Sequence, residues 1–233
     1  MKKIRATLAA LPDPRVRETL ERLHAEASRE MFGMMRAFAR EVPRLLLRRR
    51  LRFERLEASV ADKFICLDPA QGVLCYLLAR SARARSVVEF GTSFGVSTIY
   101  LAAAVRDNGG GRVIGTELVP EKAARAREHL REAGLEEVVE IRVGNALDTL
   151  REIDSPVDFM LNDGFPRFAL PVLELVAPRL CEGAIVLTDN VGTFPADYAD
   201  YVRWLRDPAN GFVSTRVPLK LGTELSVRVR SSR

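Results

Sequence analysis

Four acidic positions at or just past the ends of short apolar runs, Glu89, Glu117, Asp163 and Asp189, are where this sequence could do chemistry. Glu89 stands two residues before the first glycine of Val87-Val88-Glu89-Phe90-Gly91-Thr92-Ser93-Phe94-Gly95-Val96-Ser97. Glycine reaches backbone angles closed to other residues and lets a ligand approach the main chain, so Gly91 and Gly95 mark a turn suited to a nucleotide-sized ligand. A dinucleotide would bring its pyrophosphate to that turn, where the Glu89 carboxylate repels it. S-adenosylmethionine brings an ammonium and a sulfonium instead, which Glu89 attracts. Glu117 follows the turn by about 20 residues, the spacing at which an acid accepts hydrogen bonds from ribose hydroxyls. Gly144-Asn145-Ala146-Leu147 is a small-residue loop against which a flat base could lie.

Asp163 and Asp189-Asn190 close two further apolar runs. Neighbouring carboxylates repel unless one takes a proton or a cation joins them, and the amide oxygen of Asn190 adds a third hard ligand. Oxygen-only ligation favours magnesium, manganese or calcium over zinc. Asp163 and Asp189 also have a purely structural reading, as turn formers or helix caps.

The elements that must position these residues alternate. Val87 to Phe90, Arg112 to Thr116, Val138 to Val143, Val157 to Asn162 and Ala184 to Thr188 read as strands separated by helical spacing. Asp68-Pro69 caps one helix, with Val73, Leu74, Leu77 and Leu78 on its apolar face. Pro120 to Gly134 bounds another, and a third carries Leu170, Leu173, Leu175, Val176 and Leu180. Such alternation gives a parallel sheet with right-handed crossovers. Phe212 to Val217 and Glu224 to Val229 flank Pro218 to Gly222 as a hairpin, which puts an antiparallel strand in that sheet.

Residues 1 to 60 read as a helical extension, acting as a lid or an interface, ahead of a domain over 61 to 233. Val16, Leu20, Leu23, Ala27, Met31, Met34 and Phe38 recur in steps of three and four after Asp13-Pro14, with Gly33 a candidate break; Pro43 restarts a second helix over Leu45 to Leu56.

Together these motifs resemble the cation-dependent O-methyltransferases that include the catechol and caffeoyl-coenzyme A enzymes, from about Ala61 to Val229. The resemblance implies a Rossmann-like class I methyltransferase fold: an α/β protein with a seven-stranded, mostly parallel sheet, its last strand antiparallel, here preceded by the N-terminal helices. It implies S-adenosylmethionine as cofactor, held by Leu67, Glu89, Gly91, Ser93, Gly95, Ser97, Glu117, Asn145, Ala146, Asp163 and Phe165. It implies a magnesium, manganese or calcium ion on Asp163, Asp189 and Asn190. The reaction implied is in-line attack by a substrate oxygen on the sulfonium methyl, in which a bound cation lowers the hydroxyl's pKa.

One departure stands out. In the catechol-type enzymes a lysine three residues after the first metal aspartate serves as base, and here that position is Pro166. Asp163 remains a catalytic candidate through the cation, the adjacent Arg167 could steady an oxyanion without acting as a base, and Lys63 and Lys220 are the lysines that could approach the site. Lys122 reads as solvent-facing, and His24 and His129 as surface residues of helices.

Bulk properties narrow the partners. The 233 residues, 47% of them hydrophobic, suffice for one large domain or a domain with an appendage. Three cysteines are too few and odd in number for a disulfide framework, which points to the reducing cytoplasm. No stretch is long enough to span a membrane. The net charge of +5 is mild, and its densest run, Arg48 to Arg52, reads first as a solvated face.

A nucleic-acid methyltransferase is the first rival; Asn162-Asp163-Gly164-Phe165 lacks the Pro-Pro-aromatic signature of base amino-methylating enzymes, and few aromatics are available for stacking. A short-chain dehydrogenase would show Tyr-x-x-x-Lys, and no tyrosine has lysine four residues on. A cofactor-binding protein without catalysis fits the missing lysine. The expected partner is a small hydroxylated acceptor, with homodimer formation left open.

Overall fold

A computed structural model of the chain describes residues 1–39, 46–47, 64, 66–219 and 221–229, with side chains of 31–39 not included. Among these residues the strands β1 (Ser86–Phe90), β2 (Arg112–Glu117), β3 (Val139–Val143), β4 (Val157–Asn162), β5 (Leu180–Thr188), β6 (Phe212–Val217) and β7 (Thr223–Arg228) form one sheet in the order β3-β2-β1-β4-β5-β7-β6. β1 to β5 pair in parallel, and β7 runs antiparallel between β5 and β6. The parallel sheet and its antiparallel strand are as expected from the alternation of patterns and from the hairpin, and the arrangement is the Rossmann-like one that the resemblance implied.

Alternate residues of the central strands serve two separate cores. Val87, Phe159, Leu161 and Leu187 face one, and Val88, Met160 and Val186 the other. A strand buried on both faces is apolar at nearly every position, which is why these runs are close to continuous rather than alternating, with the buried Glu89 the exception in β1. On the first face lie α1 (Lys2–Leu8), α2 (Pro14–Ala39), α3 (Pro69–Ser81), α4 (Val96–Asp107) and α5 (Pro120–Ala133). The second face carries α6 (Ala146–Thr149), α7 (Pro166–Val176) and α8 (Ala199–Arg206).

The helix boundaries follow local chemistry. Asp68 caps α3 in a reciprocal box with Gln71, and Pro69 opens the helix. Gly134 closes α5 with φ of +69°. α4 is buried almost all round, and the close approach shows at Gly72, where a Cβ would lie 2.3 Å from the Tyr100 ring.

α2 is continuous through Gly33, so the candidate break does not form. Its first half belongs to the core: Val16, Leu20 and Leu23 are buried with Leu8 and Leu11. Arg15 donates to the backbone oxygens of Arg131 (2.8 Å) and Glu132 (2.5 Å), capping the carbonyl end of α5. Arg106 pairs with Asp13 at 2.6 Å. The helix expected over 45–56 lies outside the described residues except for Leu46 and Leu47. Two elements differ from expectation on the other face. Leu180 begins β5 after a 3-10 turn instead of ending α7, and α8 has no counterpart in the sequence reading.

Candidate active site

The order β2-β1-β4 makes β1 and β4 the pair at which the sheet reverses its direction of growth, and ligands of such sheets bind beyond the carboxyl ends there. The glycine turn sits at that point. Gly91 has φ of +97° and Gly95 of +82°, and Ser93 adopts +48° despite its side chain. The turn is fastened to β2: Thr92 N donates to Thr116 O (2.9 Å), and Ser93 N to Glu117 Oε2 (2.7 Å). The other Glu117 oxygen accepts from Val119 N at 2.8 Å, so this acid organises both the turn and the entry to α5. The Ser93 hydroxyl is buried with no hydrogen-bond partner, a polar atom that a ligand of the turn would satisfy.

Glu89 lies beneath the turn, fully buried. Its Oε2 accepts from Thr92 Oγ1 (2.9 Å) and Thr98 Oγ1 (2.5 Å). Burial pushes its pKa up, against the pull of the hydroxyls of Ser97, Thr98 and Thr92. Ser97 is buried in the first turn of α4.

Toward β3, Asn145 caps α6 by accepting from Leu147 N at 3.0 Å, and Ala146 is buried behind it. Leu118 is 65% exposed and Val143 40% exposed, at the same ends of β2 and β3. They supply apolar surface suited to a flat base that the sequence reading did not single out. Leu67 is buried against the first core. Near it Phe64 stacks on Phe94 of the turn, with ring centroids 4.4 Å apart.

The acidic strand ends face this turn. A Cβ on Gly91 would come within 2.7 Å of Asp163 O, and Asp163 N donates to Phe90 O at 2.9 Å. Asn190, with φ of +64°, turns its Nδ2 to Asp163 Oδ1 at 3.4 Å. Asp189, buried, accepts through Oδ1 from Gln71 Nε2 at 2.5 Å. The buried Cys75 thiol registers the gathering of charge, pushed up by burial and then by Asp163, Glu89 and Asp189. Two carboxylates and an amide on adjacent strand ends are a hard-oxygen set that fits a divalent cation of the magnesium kind. No three His, Cys, Asp or Glu side chains gather as a metal cluster among the described residues.

Deeper in, the strand ends are braced. Asn162 Nδ2 donates to Ala169 O (3.0 Å), and Thr188 Oγ1 meets Tyr201 OH (2.5 Å). Tyr198 packs edge-on against Tyr201, and its hydroxyl is buried without a hydrogen-bond partner. Burial, then Asp163, Tyr201 and Asp189, hold that phenol neutral, well above its ordinary pKa.

Pro166 is buried as the first residue of α7, with Phe165 at the cap position. Arg167 is exposed and lies over the Phe168 ring at 4.6 Å. Lys63 and Lys220 lie outside the described residues. Lys122 is half-buried, its Nζ 5.3 Å from the centre of the Phe94 ring, so it leans on the glycine turn instead of pointing only to solvent.

The histidines also correct the sequence reading. His24 is buried, its Nε2 2.8 Å from Tyr100 OH and its Nδ1 3.8 Å from Cys66 Sγ, and His129 is buried with Nδ1 2.9 Å from Phe94 O. His24 lies on a helix face that meets α4 and His129 on one that meets the glycine turn, which periodicity within one element does not reveal. Gln71 was missed because its partners Asp189 and Thr223 lie far along the chain, and Tyr198 because the acids that raise its pKa, Asp163 and Asp189, belong to other elements.

Residues 88–191 match the model of a methyltransferase domain. Catechol O-methyltransferases of Mycobacterium tuberculosis and Niastella koreensis are 36% identical over 128 residues and 34% over 135. Each match covers 54% of this chain, and the chain spans only 57% and 58% of those relatives' lengths. Among solved structures, an O-methyltransferase from Bacillus cereus in complex with SAH superposes with a TM-score of 0.64 at 26% identity, covering 70% of this chain and 82% of that one. An O-methyltransferase from Streptomyces achromogenes involved in tomaymycin synthesis, in complex with SAM, gives 0.62 at 25%, with 71% and 82% covered. The matched segment carries a methyltransferase-domain pattern, and the sheet around it has the Rossmann-like order. The chain is similar to O-methyltransferases of the catechol kind, as its motifs implied.

Proposed function

We propose that the protein is an S-adenosylmethionine-dependent O-methyltransferase that uses a divalent cation to methylate a hydroxyl of a small molecule. The observation that carries this reading is the contact between Gly91 and Asp163, which sets the glycine turn directly against the hard-oxygen strand ends. When bound, the cofactor supplies an electrophilic sulfonium methyl and the cation a Lewis acid for the acceptor hydroxyl.

In this reading Gly91, Ser93 and Gly95 let the methionine end of the cofactor approach the backbone, while Glu117 accepts from the ribose. Leu67, Asn145, Ala146 and Phe165 complete the pocket. Ser97 and Glu89 hold the turn from below. Asp163, Asp189 and Asn190 would hold the cation through oxygen and so place the acceptor oxygen beside the turn, which lowers the barrier chiefly by proximity. Tyr198, kept neutral, is a hydrogen-bond donor near the same acids. Since Pro166 removes the lysine of the catechol-type enzymes, Arg167, Lys63 and Lys220 are the remaining side chains to test for a part in proton transfer or charge neutralisation.

A second reading, a cofactor-binding protein without turnover, draws on the burial of Pro166 at the position of the missing base. One experiment separates them: incubation with S-adenosylmethionine, magnesium and a panel of catechols and other phenols, with and without EDTA. Chelator-sensitive methyl transfer supports the enzyme. Cofactor binding with no transfer to any acceptor supports the second reading.

The thiols Cys66, Cys75 and Cys181 accord with a reducing cytoplasm. No helix among the described residues is long and apolar enough to cross a membrane.

A further inference from the structure

We propose that Gln71 is the residue that orients Asp189 for the cation, an inference that rests on the metal-dependent reading above. Gln71 is 1% exposed and occupies the third position of α3. Every part of its amide is engaged. Oε1 accepts from Asp68 N (3.3 Å), and Nε2 donates to Asp189 Oδ1 (2.5 Å) and Thr223 Oγ1 (2.8 Å). The partners determine which end of the amide is which, because a backbone N–H can only donate to oxygen and a carboxylate oxygen accepts from nitrogen.

The terminal torsion of an aspartate is broad, so the backbone alone does not fix the plane of the Asp189 carboxylate. A charge-assisted bond from a rigid donor does. Rigidity here has visible sources. Asp68 caps the helix that carries Gln71, Thr223 anchors the same nitrogen to the first residue of β7, and Gly72 lets α3 sit against the Tyr100 ring. Tyr100 is in turn bonded to His24 of α2. A capping glutamine thus doubles as the outer support of a cation ligand, and it connects that ligand to the segment that begins at Leu67.

The test uses calorimetry of the full-length protein with manganese and, separately, with the cofactor. Wild type should bind manganese, and Gln71→Met, equal in length but without the donor, should bind it at least about tenfold more weakly. Cofactor affinity should stay within about twofold, since the glycine turn does not touch Gln71. Thr223→Val removes the other partner and should lower thermal stability in EDTA while leaving manganese affinity closer to wild type. Gln71→Asn keeps an amide but shortens its reach by one methylene, and it should show the same metal defect should Gln71→Met not fold. Equal manganese affinity in wild type and the Gln71 variants overturns the proposal. So does an equal loss in Thr223→Val, which would make Gln71 a strut. Wild type that binds cofactor but no manganese overturns the metal-dependent reading itself, and this inference with it.

Discussion

Gly91 and Asp163 touch through their backbones: a Cβ on the glycine would sit 2.7 Å from the aspartate's carbonyl oxygen. The turn suited to the cofactor and the first acid of the proposed cation site are therefore one piece of structure.

Gly91→Ala should damage both. With φ of +97° and no room for a methyl group, the substitution strains the backbone by about 1–3 kcal/mol and displaces the end of β4. Cofactor and manganese affinities should fall together in calorimetry, and the melting temperature with them. Loss of cofactor binding alone would show that the two sites are mechanically separate.

Glu117→Ala should weaken S-adenosylmethionine binding roughly tenfold or more, because a charged acceptor contributes about 1.5–3 kcal/mol. The variant also frees Ser93 N and Val119 N, so the loss should exceed that of Glu117→Gln, which keeps one acceptor oxygen. NAD should not bind measurably to any form. Unchanged affinity in Glu117→Ala would remove this residue from the pocket.

Asp189→Ala, like EDTA added to wild type, should abolish methyl transfer to an identified acceptor while cofactor affinity stays nearly intact, since Asp189 sits one strand further from the turn than Asp163. Full activity in chelator would make the two aspartates structural and move the search for a base to Lys63 and Lys220.

His24 gives a pH signature. Burial pushes its pKa from 6.5 down to about 4, with Asp68 opposing. The unfolded chain therefore binds the proton first, so stability is fully present above pH 6.5 and falls as the pH drops toward 4. The loss by then is roughly 3 kcal/mol. His24→Gln, which can still meet the Tyr100 hydroxyl, should flatten that part of the stability profile in denaturant titrations. An unchanged slope would mean that the histidine is not held neutral.

The extension has a test of its own. Deleting residues 1–55 removes Leu8, Leu11, Val16, Leu20 and Leu23 from the first core and the Arg15 cap from α5. The truncated protein should melt lower and bind apolar dye. A truncated protein that melts like wild type and methylates the same acceptors would make the segment dispensable.

Much of this architecture was legible because punctuation is local. Asp68-Pro69, Pro120 and Gly134 announce helix ends through their own backbone chemistry, and the apolar runs before Gly91, Glu117, Asp163 and Asp189 announce strand ends. The order of motifs then carried the resemblance. What stayed hidden depends on partners far along the chain. His24 looks like any polar residue of an exposed helix until Tyr100 is placed against it, and Gln71 looks like a capping residue until β5 and β7 bring Asp189 and Thr223 to its nitrogen. α8 is only two turns long, and its buried Tyr201 and Leu205 form too short a pattern to stand out.

The bond from Arg15 to Glu132 spans 117 positions. On a ribosome, α1 and α2 emerge well before α5, yet the surface that covers their apolar stripe is complete only after α5 has been made. Domains tend to fold as units during synthesis, and exposed apolar stripes are where nascent chains aggregate or meet chaperones. Helices made ahead of the sheet are thus covered only late, and a slow translation rate between α2 and α5 prolongs the interval in which this protein is most open to misassembly.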